Sequence, residues 1–183
     1  MGYDAALNKA WEDLAKQKAP KDLSVKFMHD EYSVDIASRR VLSLSCNSAV
    51  GDFLVILILH YLAKELKGLP VPSGQWLTFR EFSGIEGYYD AYQKRSIEPI
   101  IRKYGKNPDA LKDVLKRLPG KLSEGGDVSI IIEAFQSVSV LVKLWKQDTE
   151  FAPDANMYFD ANIKDIFCIE DVVVLAQMIS SQL

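Results

Sequence analysis

His60 is the side chain of this 183-residue chain that best suits proton transfer. It lies one turn beyond Ile56 on a helix that the pattern predicts over 52–67, where the apolar half of the helix meets the polar half. Because histidine titrates near neutral pH, His60 could serve as a general base. A histidine at such a boundary more commonly bonds a backbone carbonyl, and the sequence leaves both interpretations open.

Three carboxylates are candidates to act together with His60. Glu81 lies in a loop with aromatic residues and glycines, whereas Asp148 and Glu150 lie in an acidic stretch further along the chain. An enzyme that used His60, Glu81 and either Asp148 or Glu150 in acid–base or metal-assisted chemistry would need these side chains in one concave pocket. The sequence supports this enzyme as the alternative to a binding function.

Asp148, Glu150 and Asp160 are the candidate ligands for a divalent cation, because Mg²⁺ and Ca²⁺ prefer carboxylate oxygens. Their spacing lacks the alternating acidic positions and the central glycine of an EF-hand loop. Asp160 precedes a predicted turn, and Glu170 and Asp171 fall in the first turn of a predicted helix, where carboxylates oppose the helix dipole. The pattern therefore favours a structural role for these acids over a metal site.

The loop over 75–89 is the best candidate for a ligand site. It combines Arg80, whose guanidinium suits carboxylates and phosphates, with the aromatic residues Trp76, Tyr88 and Tyr89. Loops carry binding residues more often than regular elements do. These four are the predicted ligand-binding residues, and the two glycines of the loop match no nucleotide-binding fingerprint.

The cysteine content and the apolar runs exclude several classes of protein. Cys46 and Cys168 are the two cysteines, whereas a structural zinc site or a four-iron cluster takes four ligands, so we predict no iron–sulfur cluster, no structural zinc and no other cofactor. Isolated thiols are typical of a reducing compartment. The longest apolar run, over 53–59, is far shorter than the roughly 20 residues of a membrane-spanning helix. We therefore expect a cytoplasmic protein with no membrane partner.

The charges are distributed unevenly along the chain. The whole chain has a net charge of −3 and a pI near 5.5, yet residues 94–121 contain nine basic and three acidic residues. A nucleic-acid-binding domain usually has a higher pI and aromatic residues among its basic ones, so this composition disfavours a nucleic-acid partner. The alternative is a solvated helical face with intrahelical ion pairs, Glu98 with Arg102 and Asp113 with Lys116 or Arg117.

Hydrophobic periodicity predicts an α+β fold in one globular domain, residues 1–183, with about five or six mostly antiparallel strands. The helix over 52–67 is apolar on every side in its first two turns, which places it in the core. Asp52 is its predicted N-cap and Gly68 its C′ residue. The other predicted helices are an N-terminal helix from Tyr3 to Leu14, three short ones between 88 and 118, and one from about Glu170 to the end. The predicted strands are 23–28 and 32–36 around a turn at 29–31, then 40–45, 128–135 and 138–145. The segment 76–79 is a short strand or a turn, and the irregular segment 151–160 has room for an edge strand at 157–159.

Short stretches from nearly the whole chain resemble those of the prokaryotic proteins grouped as domain of unknown function 3786. They are AWEDLA (10–15), LHYL (59–62), GQWLTFRE (74–81), DTEF (148–151), FD (159–160) and ED (170–171). The resemblance implies a bacterial or archaeal protein, often from an anaerobe, and it implies no particular activity. Some relatives look like fusions to an iron–sulfur module. This chain has two cysteines and lacks such a cysteine cluster, so the association is not extended to it.

We favour a non-catalytic binding domain that recognises a small anionic ligand or a protein partner through Arg80 and its aromatic neighbours. This interpretation expects the loop that carries Arg80 to fold over the polar end of the 52–67 helix. It therefore predicts one hollow with His60 on one side and Arg80 on the other.

Overall fold

The computed structural model describes residues 3–17, 19–20 and 23–183. The helices are α1 (Tyr3–Ala15), α2 (Asp52–Glu65), α3 (Tyr89–Tyr92), α4 (Glu98–Tyr104) and α5 (Ile169–Gln182). The strands are β1 (Leu23–Phe27), β2 (Asp30–Asp35), β3 (Arg40–Ser43), β4 (Ser48–Ala49), β5 (Trp76–Thr78), β6 (Gly120–Ser123), β7 (Val128–Phe135), β8 (Val138–Trp145) and β9 (Asp154–Asp160). No helix in the described part of the chain is both long and apolar enough to cross a membrane.

The first sheet is an antiparallel meander in the order β1-β2-β3-β4. Its first hairpin was predicted, but the turn is shorter than expected because Met28 adopts a positive φ of 51° and closes a two-residue loop with His29. Asp30, predicted as a solvated turn residue, is therefore the first residue of β2 and pairs with Phe27. Its carboxylate accepts hydrogen bonds from the hydroxyls of Ser43 and Ser45 at 2.6 and 2.5 Å.

The second sheet has five antiparallel strands in the order β5-β9-β8-β7-β6. β7 and β8 coincide with the predicted strands, whose alternating apolar positions bury one face. The edge strand predicted at 157–159 is wrong in its position: β9 is seven residues long and lies between β5 and β8. β6 was not predicted, because its sequence GKLS has no apolar alternation and begins with the glycine of a Pro-Gly pair.

α2 lies at the centre of the core, as its composition predicts. Residues from Val55 to Leu59 are buried, and Leu57, Ile58 and Leu59 have no exposed surface. Three details of the prediction are wrong. Gly51, not Asp52, is the N-cap, and Phe53 is 40% exposed. The helix ends at Glu65 with Leu66 as its C-cap, so Gly68, with a positive φ of 104°, lies one position beyond C′.

The helical middle of the chain is more continuous than its sequence suggests. α3 and α4 are joined by a π-helical segment, Gln93–Ile97, so that 89–104 forms one helical run rather than two separate helices. The third predicted helix is a 3-10 helix, Pro108–Lys116, preceded by Asn107 and begun by proline as expected.

The predicted α+β class and the antiparallel pairing are confirmed. The strands are more numerous than expected and form two sheets, because β4, β6 and the full length of β9 carry weak local signals. Buried side chains from both sheets and from α1, α2 and α5 belong to one continuous apolar cluster. The backbone amide of Met28 donates to the carbonyl of Ala134 at 2.7 Å and thereby joins the first hairpin to β7.

Candidate functional site

A cavity of about 480 Å³ lies between α1, α2 and α5, with α3 and the π-helical segment at its side. We call it the His60 cavity. Its walls are largely apolar and come from different elements: Ala6 of α1, Phe53 and Ile56 of α2, and Val173 and Val174 of α5. Polar side chains, among them His60, are placed between these walls. A volume of this size is typical of small-molecule sites.

His60 is bound to Asp171 across the cavity. The ring nitrogen Nδ1 lies 2.8 Å from Oδ2 and 3.0 Å from Oδ1 of Asp171, which is 111 positions further along the chain. The Asp171 side chain is 7% exposed and that of His60 36% exposed. The hydrogen bond and the negative charge of Asp171 raise the pKa of His60 against the opposing effect of its partial burial. The pair fixes α2 against α5 and orients the imidazole in the cavity wall.

Asp171 also organises the start of α5. It is the third residue of the helix, and its Oδ2 accepts hydrogen bonds from the backbone N–H and the Sγ of Cys168 at 3.3 and 3.1 Å. Burial, together with the negative charge of Asp171, raises the pKa of Cys168 to about 12. Because only the thiolate is a strong nucleophile, Cys168 is a hydrogen-bond donor here and not an activated cysteine.

Tyr88 and Glu170 form a second polar pair on the His60 cavity. The Tyr88 hydroxyl donates to Oε1 of Glu170 at 2.5 Å, which lowers the pKa of Glu170 and raises that of Tyr88. Both carboxylates of the cavity, Glu170 and Asp171, are therefore already hydrogen-bonded within the protein.

Two basic residues, Lys9 and Arg95, also line the His60 cavity. Neither of them makes a hydrogen bond or an ion pair with any of the residues that the structure describes. Lys9 lies close enough to His60 to oppose the rise in its pKa. The cavity thus combines apolar walls, occupied carboxylates and two cationic groups that remain available to an anion.

Arg80 lies on a different cavity of about 380 Å³, which we call the Arg80 cavity. Its Nε donates to the Tyr89 hydroxyl at 2.8 Å, and its guanidinium carbon lies 4.9 Å from the centre of the Tyr89 ring. The two cavities share no lining residue. The expected single hollow between His60 and Arg80 is therefore not present: Tyr88 lines the His60 cavity and Tyr89 the Arg80 cavity.

The π-helical segment contributes to both cavities. Gln93 lines the Arg80 cavity, and Arg95, two positions later, lines the His60 cavity. A π turn widens the helix locally and is often found at functional sites. The segment therefore places polar side chains on two sides of one helical run.

The other predicted catalytic residues are not brought to His60. Glu81 accepts hydrogen bonds from the backbone and hydroxyl of Thr78 at 2.7 and 2.8 Å in a capping box, which lowers its pKa. Asp148 accepts from the backbone amides of Glu150 and Phe151, and these bonds lower its pKa. Asp148 lines a third cavity, so His60, Glu81 and Asp148 do not share a pocket.

The hydrogen bonds of Asp160 indicate a structural role. Its buried carboxylate accepts hydrogen bonds from the backbone and hydroxyl of Ser73 and from the backbone amides of Gly74 and Asn162, at 2.7 to 3.0 Å. Burial opposes the ionised form, but these bonds hold the pKa of Asp160 below its ordinary value. Trp76 lies on a small cavity beside Asp160, apart from Arg80. Within the described ranges, no three His, Cys, Asp or Glu side chains are grouped as metal ligands.

The basic segment 94–121 is partly used inside the protein. Lys103 and Arg117 donate to the backbone carbonyl of Leu183 at 2.6 and 3.1 Å. The predicted pair of Asp113 with Lys116 is formed at 2.7 Å. The structure therefore assigns several of these cations to intramolecular contacts.

Sequence reasoning missed the partner of His60. Asp171 was interpreted only as a first-turn acid of α5, and no local pattern connects it with a histidine 111 positions away. The sequence predicted α5 as a helix but contained no signal for the element against which it packs. Cys168, Lys9 and Arg95 line the same cavity only because the helices pack together. Their positions in the sequence did not predict this.

A family model, that of the domain of unknown function DUF3786, matches residues 8–182. Nearly the whole described chain is thus covered, and the resemblance found in the short sequence stretches is confirmed. No curated protein matches the chain, and no solved structure does.

Proposed function

We propose that this chain, which belongs to the DUF3786 family, is a binding domain for a small molecule with an apolar body and an anionic group. The ligand would occupy the His60 cavity. The observation that carries this proposal is the pair Lys9 and Arg95, two cations without an ion-pair partner in the described structure, on a cavity with apolar walls.

The apolar walls supply a reason for a ligand to bind. Phe53 is 40% exposed, whereas Ile56, one turn further along α2, is buried, and the Phe53 ring packs against Tyr3 at a centroid distance of 4.5 Å. Covering apolar surface contributes roughly 25 cal/mol per Å². An apolar body placed against Phe53, Val173 and Val174 would therefore be stabilised by burial.

The cations of the cavity give an anion two partners. Asp171 is 7% exposed and bound to His60, whereas Glu170 accepts a hydrogen bond from Tyr88 through Oε1 and keeps its negative charge. Lys9 and Arg95 are free to receive an anionic group. Below its raised pKa, His60 adds a third positive charge, and binding should therefore weaken as the pH rises through that pKa.

Two matched fluorescent probes test the proposal: the anionic 8-anilinonaphthalene-1-sulfonate and the neutral N-phenyl-1-naphthylamine. We expect the folded protein to bind the sulfonate more tightly than the neutral probe. Arg95→Ala should weaken sulfonate binding by about tenfold, the loss of one charged hydrogen bond. Lys94→Ala is the matched control, because Lys94 is an exposed cation of the same segment that lines none of the cavities described above.

Equal binding of the two probes, or equal effects of Arg95→Ala and Lys94→Ala, would contradict the proposal. Val174→Trp provides a second test by filling the cavity. It should reduce the binding of both probes without changing the circular dichroism of the protein.

Acid–base catalysis by His60 is the second candidate function. It is favoured by one observation: Asp171 holds Nδ1 of His60, so the neutral ring carries its proton there and leaves Nε2 as a base. Asp171 takes the place that Glu81, Asp148 and Glu150 held in the sequence-based alternative. Hydrolysis of p-nitrophenyl esters of short and medium fatty acids tests it. We expect His60→Gln to lower the rate by about 100-fold, and a wild-type rate equal to that of buffer would remove this candidate.

A further inference from the structure

The Arg80 cavity has a different character from the His60 cavity. It lies between the end of β5, α3 and the beginning of β9, and its side chains are mainly polar or aromatic. Thr78, Gln93 and Asn156 contribute hydroxyl and amide groups, and Arg80 and Asp154 contribute charges of opposite sign. Its volume of about 380 Å³ suits one small molecule.

Arg80 is held so that part of its guanidinium is free. Nε donates to the Tyr89 hydroxyl, and the guanidinium lies against the Tyr89 ring. The terminal nitrogens have no hydrogen-bond partner among the residues described here. Gln93 also donates to the Tyr89 hydroxyl, at 3.0 Å, and thereby helps to fix the ring that supports Arg80. A guanidinium fixed in this way presents a planar fork that matches a carboxylate.

Asp154 supplies the opposite charge to the same cavity. Its Oδ1 accepts a hydrogen bond from the backbone amide of Ala155 at 2.8 Å, which orients the carboxylate at the start of β9. Asp154 forms no ion pair with Arg80, nor with any other cation in the described structure. The two charges thus line one cavity without neutralising each other directly.

Tyr92 lies in the wall of the Arg80 cavity, with its hydroxyl buried in the protein. Its side chain is 1% exposed, and its hydroxyl has no hydrogen-bond partner in the described part of the protein. A buried hydroxyl without a partner is costly in a folded protein. The hydroxyl is itself buried, so the amide of Asn156 is the group that adds hydrogen-bonding capacity beside the two charges.

We propose that the Arg80 cavity binds a free α-amino acid, with the carboxylate on Arg80 and the ammonium group directed to Asp154. A molecule with both charges complements both side chains at once, whereas a simple anion or a simple amine would leave one of them unmatched. This site is separate from the His60 cavity and goes beyond the function proposed for it.

Isothermal titration of the full chain with matched sets of molecules tests this inference. The first set is L-phenylalanine, 3-phenylpropionate and phenethylamine, and the second is L-alanine, propionate and ethylamine. We expect at least one amino acid to bind and its two singly charged analogues to bind about tenfold more weakly or not at all, because each loses one charged contact.

Two variants assign the binding to the cavity. Arg80→Gln should weaken amino-acid binding by about tenfold, and Asp154→Asn should weaken it similarly while leaving the binding of the acid analogue unchanged or tighter. Asp90→Asn is the matched control, because Asp90 is an exposed acid of α3 that lines neither cavity. Should Arg80→Gln fail to fold, Asp154→Asn still decides, since this exposed residue makes only one local hydrogen bond.

The inference is overturned if neither amino acid binds the wild-type chain, if an acid analogue binds as tightly as its amino acid, or if Asp154→Asn and Asp90→Asn behave alike. Probe binding in the His60 cavity is measured separately, and it does not depend on Arg80 or Asp154. Failure of one site therefore leaves the other proposal unaffected.

Discussion

Replacing Asp171 with asparagine is the most informative perturbation of the His60 cavity. The carboxylate is 7% exposed and accepts hydrogen bonds from His60 and from the backbone and thiol of Cys168. Asparagine retains one acceptor oxygen, so the contact with the Cys168 backbone can persist. What Asp171→Asn removes is the negative charge opposite the imidazole.

The size of the effect follows from the protonation of His60. The contact with Asp171 raises the pKa of His60 above its ordinary value of 6.5. The charge contribution of the pair is therefore fully present below pH 6.5 and is lost as the pH rises through the raised pKa. Hydrogen bonds to charged groups contribute about 1.5–3 kcal/mol, and the 36% exposure of His60 places this pair in the lower part of that range because solvent screens it.

We therefore expect Asp171→Asn to lower the free energy of unfolding by about 2 kcal/mol near pH 5.5 and by about 1 kcal/mol near pH 8.5. Urea unfolding at the two pH values measures the difference. A proton NMR titration follows His60 directly, with His29 in the β1–β2 turn as the second histidine of the chain. The pKa of His60 should fall in the variant.

Asp165→Asn is the control, because Asp165 is exposed and makes no hydrogen bond or ion pair with a described residue. It should change the stability little at either pH. A loss for Asp171→Asn that is the same at both pH values, or an unchanged His60 titration, would refute the coupling between these two side chains.

Three further predictions concern other parts of the protein. Asp160→Ala should cost about 3 kcal/mol at neutral pH, since it leaves the buried amide of Asn162 and the amides of Ser73 and Gly74 without their acceptor. The pKa of Asp160 is lowered, so this difference should shrink as the pH falls through that lowered value, and urea unfolding at several pH values measures it. Leu57→Ala should cost about 3 kcal/mol in the same assay, because Leu57 has no exposed surface, and a loss below about 1 kcal/mol would contradict its place in the core. Iodoacetamide should modify Cys46 about tenfold faster than Cys168 near pH 7.5, as followed by mass spectrometry. Serine hydroxyls lower the pKa of Cys46, whereas burial and Asp171 raise the pKa of Cys168. Equal rates would contradict this assignment.

The elements with a strong local pattern were predictable from the sequence. Seven consecutive apolar residues predicted α2, and runs of β-branched and other apolar residues predicted β7 and β8. The weak strands were not, since the place of β6 depends on its pairing with β7, and that of β9 on its pairing with β8 and with the distant β5. Local propensity contains little information about such pairings.

The candidate sites were likewise predictable only in part. His60 and Arg80 were recognised by residue type and by their neighbours in sequence, yet each was assigned the wrong surroundings. Asp171 and Asp154 become relevant only when α5 and β9 are packed against the rest of the protein. Tyr88 and Tyr89 are adjacent in the chain, yet their side chains line different cavities. A difference of one position thus decides which cavity a side chain joins.

The π-helical segment Gln93–Ile97 holds one residue more in its turn than an α-helix does. Deleting a residue from this segment would therefore restore an ordinary turn and leave the two ends of the run over 89–104 nearly in register. Each residue of a regular α-helix, by contrast, advances the chain by about 100° around the axis. A deletion in α3 would rotate Tyr89 by that angle relative to Arg95, and the two side chains would no longer reach their separate cavities together.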